Sequence, residues 1–458
     1  MKNQNELLDL LQYGLNFINK SNENIRASEL FLNNNEYINI EIEENSIKNS
    51  EIGEETGLAV RIIDNRGTLG FSFTNFIEKK PIKDTIRNAI KMMKAGTPDP
   101  DFKDLPSTIN NYPSINRLYD KDIEILKIED CFAYVEDLIK LCNNDDMAIS
   151  QTSRFKTNIS QTFILNTNGI EISGKETVCS IMSNIIVKDK TTNETSFGYN
   201  WQSKREIKEL DVLKVGQKSL EDAKSNLNRK KVKNMKVPLV LTPFGTLSLI
   251  MRPIASAIDA ETYQYNRSFL VGKKGKKIGT PHLTIEDNAL MDGSSGSYRF
   301  DDEGVPCKDK TIVEEGKFLE DGLLHNSYTA NKDNTESTGN GFRSSYSSTP
   351  SIGTTNFVFS TGDIKKDEII GSVKKGILLD YTGDSPNIST GDFSGLILHG
   401  ALIEDGEIKH PLNETMLGIN LLDLFQKIDA VSEEYQVFGS YRAPYVRIKE
   451  VNIIGSAK

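Results

Sequence analysis

Residues 57–75 read GLAVRIIDNRGTLGFSFTN: an apolar run, a polar turn, and a second run in which apolar and polar residues alternate. Aliphatic residues dominate the first run, and the period of two in the second is typical of a β-strand with one buried face. In the turn, Asn65 and Gly67 tolerate the positive φ angles that a tight hairpin requires. The stretch therefore predicts an antiparallel β-hairpin.

The segments on either side of this hairpin extend it into a layered unit. Residues 1–20 place leucines and an isoleucine at helical spacing, and residues 36–44 (EYINIEIEE) alternate as a strand does. After the hairpin, residues 82–96 predict a helix that stops at Gly96. Prolines then punctuate a polar linker near residues 97–114.

A similar order of elements follows the linker. Residues 128–142 predict a helix, residues 162–173 and 176–187 predict strands with a turn at Asn168 and Gly169, and residues 212–226 predict another helix. A strand meander between two helices, used twice, predicts paired α+β layers and an internal repeat.

Beyond Lys236 the pattern changes to short strands separated by glycine turns. Residues 311–319 (TIVEEGKFL) and 401–412 (ALIEDGEIKHPL) share one design, in which an acidic pair is followed by Gly316 or Gly406. Glycine at this place takes the left-handed conformation of a hairpin turn. The second half is therefore predicted to consist mainly of strands.

Two helices are predicted within this half, near residues 246–263 and 421–428. The predicted fold class is α+β, with N-terminal layers of helices and antiparallel sheet followed by a β-rich C-terminal half. We place the domain boundary in a basic stretch near Lys233, giving domains 1–232 and 233–458.

Composition disfavours one class of function, binding to nucleic acid. The 55 lysines and arginines are outnumbered by 65 aspartates and glutamates, which gives a net charge of -10. A general nucleic-acid binder is unexpected, because phosphate affinity depends on clustered positive charge. Only residues 229–236 and 273–277 form basic patches.

Cysteine usage and hydropathy predict a cytoplasmic protein without a membrane segment. The charge-free run 237–251 is shorter than the ~20 apolar residues that span a bilayer, and it contains two prolines and a glycine. The cysteines are scattered without C-x-x-C spacing, as expected of structural thiols in a reducing compartment; they are Cys131, Cys142, Cys179 and Cys307.

Few segments of the sequence match a known catalytic, metal-binding or ligand-binding motif. None of the four histidines lies at a spacing typical of a zinc helix. Residues 300–304 (FDDEG) lack the alternating ligands of a calcium loop, so their carboxylates are expected to accept backbone or arginine hydrogen bonds. Residues 337–350 (STGNGFRSSYSSTP) suit a loop that another main chain can approach closely. The candidate peptide-binding residues are Gly339, Asn340, Gly341 and Arg343.

An ordered series of segments resembles the TldD/PmbA family, also called modulators of DNA gyrase. The series covers nearly the whole chain, although no single motif in it is decisive. Its segments are residues 57–75, RSFLVGKKGKKIGTPHLTIEDN, FDDEGVPCKDKTIVEEGKFLEDGLL, STGNGFRSSYSSTPSIGTTNF, ISTGDFSGLILHGALIEDGEIKHPLNE and VNIIGSA.

The resemblance implies a two-layer α+β N-terminal half, a β-rich C-terminal half and assembly into dimers. In the TldD branch it also implies zinc peptidase activity, with two histidines and a glutamate in H-E-x-x-x-H on a helix and a cysteine near the C-terminus. Histidines five residues apart lie about 140° apart around a regular helix. Such a pair therefore requires a locally widened turn.

In this chain the family's histidine positions fall on Met251 and Ser256, and its glutamate position falls on Arg252. Residues 438–455 contain no cysteine. A thioether and a hydroxyl are unsuitable zinc ligands, and an arginine does not accept a proton. The chain thus resembles the metal-free PmbA (TldE) branch, although residues 337–350 are closer to the TldD-like loop.

The resemblance implies a non-catalytic subunit without its own cofactor. Zinc is expected in a TldD-like partner, in a heterodimer that acts on unfolded or modified peptides, and a homodimer is the alternative assembly.

The sequence leaves two other functions open. One is a stand-alone hydrolase, acting without a metal or with a metal held by dispersed groups such as His325, Asp301 and Asp302. The other is a gyrase-associated or nucleic-acid role, which would rely on the basic patches at 229–236 and 273–277. No nucleophile and base at readable spacing supports the first, and the acidic composition disfavours the second.

Overall fold

The computed structural model describes residues 4–21, 23–109 and 111–457. The N-terminal half contains a six-stranded sheet in the order β3-β2-β1-β4-β5-β6, in which all neighbouring strands are antiparallel. Its strands are β1 (Ile25–Glu43), β2 (Ser46–Asp64), β3 (Leu69–Thr74), β4 (Ala148–Asn166), β5 (Glu171–Lys188) and β6 (Thr195–Lys204). The helices of this half are α1 (Gln4–Asn19), α2 (Lys79–Ala95), α3 (Lys121–Ile125), α4 (Ile128–Asn143) and α5 (Val212–Ser225).

The helices cover one face of this sheet and leave the other face to the C-terminal half. Successive side chains of a strand point to opposite faces. In β1, Leu30 and Leu32 therefore enter the apolar core shared with α1 and α2, whereas Phe31 packs with Phe300 and Tyr346 of the second half. The predicted α+β fold class is confirmed: helices lie on an antiparallel sheet in the N-terminal half, and the C-terminal half is rich in strands.

A glycine in each outermost strand allows the following helix to pack closely. A Cβ atom at Gly70 of β3 would lie 2.0 Å from the Ala89 carbonyl oxygen of α2. In the same way, a Cβ atom at Gly198 of β6 would lie 1.9 Å from the Ser219 carbonyl oxygen of α5. Strand glycines often mark such backbone approaches.

The hairpin at residues 57–75 forms as β2 and β3, but its turn differs in detail from the expectation. Gly67 has a φ of 77°, whereas Asn65 keeps a negative φ. The Asp64 carboxylate instead holds the turn by accepting hydrogen bonds from the backbone N–H groups of Arg66 and Thr68, each at 2.8 Å. A short polar side chain thus supplies the contacts that a second left-handed residue would otherwise support.

The C-terminal half is built on a twelve-stranded sheet and a separate pair of short strands. Its strands are β7 (Lys230–Lys231), β8 (Met235–Leu241), β9 (Ile285–Asn288), β10 (Asp309–Glu314), β11 (Lys317–Phe318), β12 (Gly341–Phe342), β13 (Ser351–Ile352), β14 (Phe357–Phe359), β15 (Lys375–Thr382), β16 (Asp392–Glu404), β17 (Glu407–Asn413), β18 (Met416–Asn420), β19 (Ile428–Phe438) and β20 (Tyr441–Ile454). Strands β8, β15, β16, β18 and β20 pair in a closed ring. Closure removes free edges from this part of the sheet.

The predicted hairpins of this half are confirmed at their glycines. Gly316 and Gly406 have φ angles of 81° and 78°, and the acidic residue before each also has a positive φ. The helices are α6 (Pro243–Thr246), a π-helical turn (Leu247–Met251), α7 (Arg252–Ala257), α8 (Ala260–Gln264), α9 (Ser327–Asp333), α10 (Lys366–Gly371) and α11 (Leu421–Phe425).

The single helix expected near residues 246–263 is therefore in pieces. It begins at the Thr242 cap, widens at Leu247–Met251, and breaks before α8, where Asp259 accepts a hydrogen bond from the Thr262 N–H group. This N-cap is a stronger local signal than the apolar periodicity that continues through it. No helix among residues 4–21, 23–109 and 111–457 combines the length and apolar character needed to cross a bilayer.

Candidate functional site

The position that the resemblance assigns to zinc lies at the junction of the π-helical turn and α7. Met251 is fully buried, in an apolar cluster with Leu239, Leu241 and Ile254, whereas Ser256 is exposed. Residues 252–257 form regular α-helix, and five residues of such a helix turn the chain about 140° past a full turn. The widened turn ends at Met251 and does not lie between the two positions, so their side chains diverge.

The groups at this position do not fit a zinc ion. Met251 offers a core thioether, Ser256 an exposed hydroxyl and Arg252 an exposed guanidinium, whereas zinc sites use thiolate, imidazole or carboxylate. Burial raises the pKa of Cys131 and Cys179 to about 12, which favours the neutral thiol. Within the described ranges, no three histidine, cysteine, aspartate or glutamate side chains are arranged to hold a metal.

A cleft of about 540 Å³ lies between the sheet of the N-terminal half and loops of the C-terminal half. We call it the sheet cleft. Two rows of paired residues cross strands β2, β1, β4 and β5 at its floor. In that strand order the rows are Gly57, Asn33, Thr162 and Gly174, followed by Glu55, Asn35, Ser160 and Glu176.

The two glycines of the first row support the walls of the sheet cleft. The Tyr346 ring lies directly on Gly57, where a Cβ atom would be 2.1 Å from it, and the Phe300 ring lies on Gly174 at 3.0 Å. Between them, the Asn33 side chain donates hydrogen bonds of 3.0 Å to the hydroxyls of Ser160 and Thr162. The cleft therefore has a polar floor and aromatic walls.

A buried ionic cluster joins the two halves beside the sheet cleft. Arg61 donates hydrogen bonds to Glu29 at 2.7 Å and to Glu303 at 2.9 Å, and Arg343 pairs with Glu29. The side chains of these four residues are between 0 and 4% exposed. Burial opposes the charge on Arg61, but the carboxylates of Glu29 and Glu303 outweigh it and raise the pKa of Arg61.

The acidic segment 300–304 behaves as predicted from the sequence. Asp301 accepts hydrogen bonds from the N–H groups of Glu303, Val305 and Gly341, and Asp302 accepts one from the N–H group of Arg343. Burial, reinforced by the charge of Glu303, raises the pKa of Asp301 well above its usual range. Burial also raises the pKa of Asp302 to about 7.

Of the candidate peptide-binding residues, Arg343 lines the sheet cleft, whereas Gly339, Asn340 and Gly341 precede it in the same loop and are not part of the cleft lining. Gly339, Asn340 and Gly341 are buried, and Asn340 donates hydrogen bonds to Asp287 and to the Gly353 carbonyl. The side chain of Arg343 is 1% exposed. Peptide binding at these residues stays a prediction.

Three consecutive segments of the chain match the domains of one protein family. Residues 28–93 match the PmbA/TldA metallopeptidase domain 1, residues 121–227 the central domain and residues 234–455 the C-terminal domain. The chain belongs to the PmbA/TldD metallopeptidase family.

The similarity to relatives and solved structures of the PmbA/TldD family covers nearly the whole chain. The chain is 26% identical to a metalloprotease of Methanocaldococcus jannaschii, over 90% of this chain and 91% of that one. It is also 26% identical to a metalloprotease PmbA homolog of Buchnera aphidicola, over 99% and 98%. A crystal structure described as a candidate modulator of DNA gyrase from Bacteroides thetaiotaomicron superimposes with a TM-score of 0.88 at 25% identity, over 100% of both chains. TldE from Thermococcus kodakarensis superimposes with a TM-score of 0.86 at 23% identity, over 97% of this chain and 100% of that one, and shows the shared fold.

Sequence patterns in this PmbA/TldD chain do not single out Glu55 of the sheet cleft, or Glu29 and Arg61 of the buried ionic cluster beside it. Arg61 nevertheless interrupts an otherwise apolar run. A lone charge in a predicted strand is a usable signal, because buried charges are found paired. Its partner Glu303 is 242 residues away in the chain, which no local pattern indicates.

We predict that His325 makes the stability of the fold depend on pH. Burial lowers the pKa of His325 to about 4, and Asp333, whose carboxylate lies 3.9 Å away, only partly opposes this. Between pH 6.5 and 4 the unfolded chain binds more protons at this residue, so stability is lost as the pH falls through that window. We expect the free energy of unfolding to fall on the order of 2 kcal/mol more in the wild type than in His325→Gln.

Urea unfolding at pH 6.5, 5.5 and 4.5 measures this difference. All other titrating groups are the same in the two proteins, so the difference in slope isolates His325. Equal slopes would contradict the prediction.

Proposed function

We propose that this chain is the metal-free, non-catalytic subunit of a PmbA/TldD-type zinc metallopeptidase complex that acts on unfolded or modified peptides. One observation carries the proposal: the family's two metal-ligand positions hold a thioether buried in the core and an exposed hydroxyl that diverge on a regular helix. Gathering two ligands around one ion would require both a change of side chains and a change of helix geometry.

The glutamate that acts as general base in a zinc peptidase is also missing from the corresponding position of this chain. Arg252 stands where the family's glutamate would accept a proton from the attacking water, and a guanidinium stays protonated throughout the physiological range. Zinc and the base are therefore expected in a TldD-like partner. We place this partner in a heterodimer with the present chain, with a homodimer as the alternative, in the cytoplasm.

The role left to this chain is to enclose the substrate. An extended peptide binds a sheet edge through its main chain, which gives affinity with little sequence preference. A β-rich half without its own metal still offers edges and loops for this purpose. Such a subunit would raise the activity of the zinc-bearing chain without contributing a reacting group.

Reconstitution with a homologue from the same genome that carries H-E-x-x-x-H tests the proposal. We expect the pair to cleave an unfolded peptide, the present chain alone to be inactive, and zinc to be found in the partner and not in the present chain purified alone. Because the Ser256 hydroxyl holds no metal, Ser256→Ala should leave the activity of the pair within about twofold. Activity of the partner that is equally high without this chain would contradict the proposal.

A further inference from the structure

The charged side chains that line the sheet cleft are not equally available to a ligand. Lys175 donates to Glu124 at 2.7 Å, and Arg343 is held by Glu29 and by the Ser348 carbonyl. Arg299, at the rim, donates from Nε to the Pro113 carbonyl. Two of the three cations are therefore neutralised by carboxylates outside the cleft.

The carboxylates of the sheet cleft make fewer hydrogen bonds and ion pairs than its cations do. Across the described parts of the chain, Glu55 makes no hydrogen bond or ion pair and is exposed. Asp302 uses one oxygen to accept the Arg343 N–H group at 2.7 Å, and its other oxygen has no partner among those same residues. Glu176 pairs with Arg205 at 2.8 Å. Two carboxylates are thus left for a ligand.

The aromatic walls of the sheet cleft also favour a cationic ligand. Tyr346 and Phe300 stand on opposite glycines of the floor, and Phe342 packs against Tyr298 with ring centroids 5.2 Å apart. The guanidinium of Arg205 already lies 5.2 Å from the centre of the Tyr298 ring, which leaves the other three rings for a ligand. Aromatic faces attract cations, by about 0.5–1 kcal/mol at exposed sites and more where water is excluded. Carboxylates and ring faces therefore favour the same kind of ligand.

We propose that the sheet cleft binds an aliphatic ammonium group at the unpaired carboxylate oxygen of Asp302, between the aromatic walls, and that Glu55 adds the negative charge of a second unpaired carboxylate to the same cleft. The group belongs either to a small amine or to the N-terminus of a short peptide, whose amides the floor residues Asn35 and Ser160 can meet. A volume of about 540 Å³ is in the range of small-molecule sites. This site lies apart from the metal position and does not depend on a catalytic partner.

The ionisation of Asp302 agrees with this assignment. Burial raises its pKa to about 7, with smaller contributions from the carboxylates of Glu176 and Glu29, while the backbone N–H group and guanidinium of Arg343 oppose the rise. A bound ammonium favours the ionised carboxylate. Binding of an aliphatic amine such as putrescine, which stays protonated in this range, should therefore strengthen as the pH rises through 7.

Titration calorimetry of the full chain at about pH 7.5, where most Asp302 carboxylates are ionised and most α-amino groups are still protonated, tests the site with three probes: putrescine, trialanine amide and N-acetyl-trialanine amide. We expect at least one of the two amines to bind, and the acetylated peptide to bind at least about tenfold more weakly than trialanine amide if the peptide is the preferred ligand. Tighter binding of putrescine identifies a small-amine site, and tighter binding of trialanine amide identifies a peptide terminus.

Variants of the carboxylates separate this site from a general charge effect. Asp302→Asn, which can still accept the Arg343 N–H group, should weaken amine binding at least about tenfold, and the exposed Glu55→Gln should weaken it severalfold. Glu54→Gln, on the opposite face of the same strand, should leave binding unchanged. Failure of both amines to bind, equal binding of the acetylated peptide, or loss with Arg299→Gln but not with Asp302→Asn would overturn the proposal.

Discussion

Arg61→Met should destabilise the fold by about 3–5 kcal/mol, because the change leaves buried carboxylates without their shared cation. Methionine has a similar length, so the effect reports the lost charge more than a lost volume. Glu303 would keep only the hydrogen bonds from Ser327, and Glu29 only its pair with Arg343. The measurement is the free energy of unfolding in urea at neutral pH.

An exposed ion pair of the same chain provides the control. Arg87 lies 3.1 Å from Asp84 on the surface of α2, where the side chains are 59% and 50% exposed, so Arg87→Ala should change stability by less than about 1 kcal/mol. In the double variant Arg61→Met, Glu303→Gln, the loss should be smaller than the sum of the single losses. Additive losses, or an Arg61→Met variant as stable as the wild type, would contradict a coupled buried cluster.

The local elements of this fold were predictable because their signals are local. The hairpin at residues 57–75, the glycine turns at Gly316 and Gly406, and α4 and α5 each follow from a few neighbouring residues. The closed ring of strands is different, since β8 and β15 pair in parallel across more than a hundred residues. Sequence patterns indicate that such strands exist, but the order in which they pair depends on packing across the whole half.

The candidate sites also divide into one that local sequence indicates and one that depends on packing between the two halves. The absence of zinc ligands at Met251, Arg252 and Ser256 stays a prediction, which needs only the chemical identity of these residues once the resemblance assigns their positions. The sheet cleft could not be predicted, because it combines rows of the N-terminal sheet with loops from the other half. Gly57 and Gly174 illustrate the difficulty, since each supports a ring that comes from beyond residue 299.

Gly198→Ala should destabilise the fold by about 3 kcal/mol, whereas glycine to alanine in an unobstructed strand is stabilising by roughly 0.5–1 kcal/mol. The new Cβ atom would lie 1.9 Å from the Ser219 carbonyl oxygen and 2.6 Å from the Ala223 nitrogen, and both belong to the backbone of α5. Rotation of a side chain does not relieve such a contact, so the helix must move away from the sheet. Urea unfolding measures the loss.

The matched control is Gly418→Ala in β18, where a Cβ atom would meet nothing within 4 Å. This variant should be as stable as the wild type or slightly more stable, because the backbone of the unfolded chain loses freedom. Gly70→Ala should reproduce the loss at Gly198, because its Cβ atom would lie 2.0 Å from the Ala89 carbonyl oxygen of α2. A neutral Gly198→Ala would mean that α5 shifts at little cost, and that close packing on the edge strands does not fix the helices of the N-terminal half.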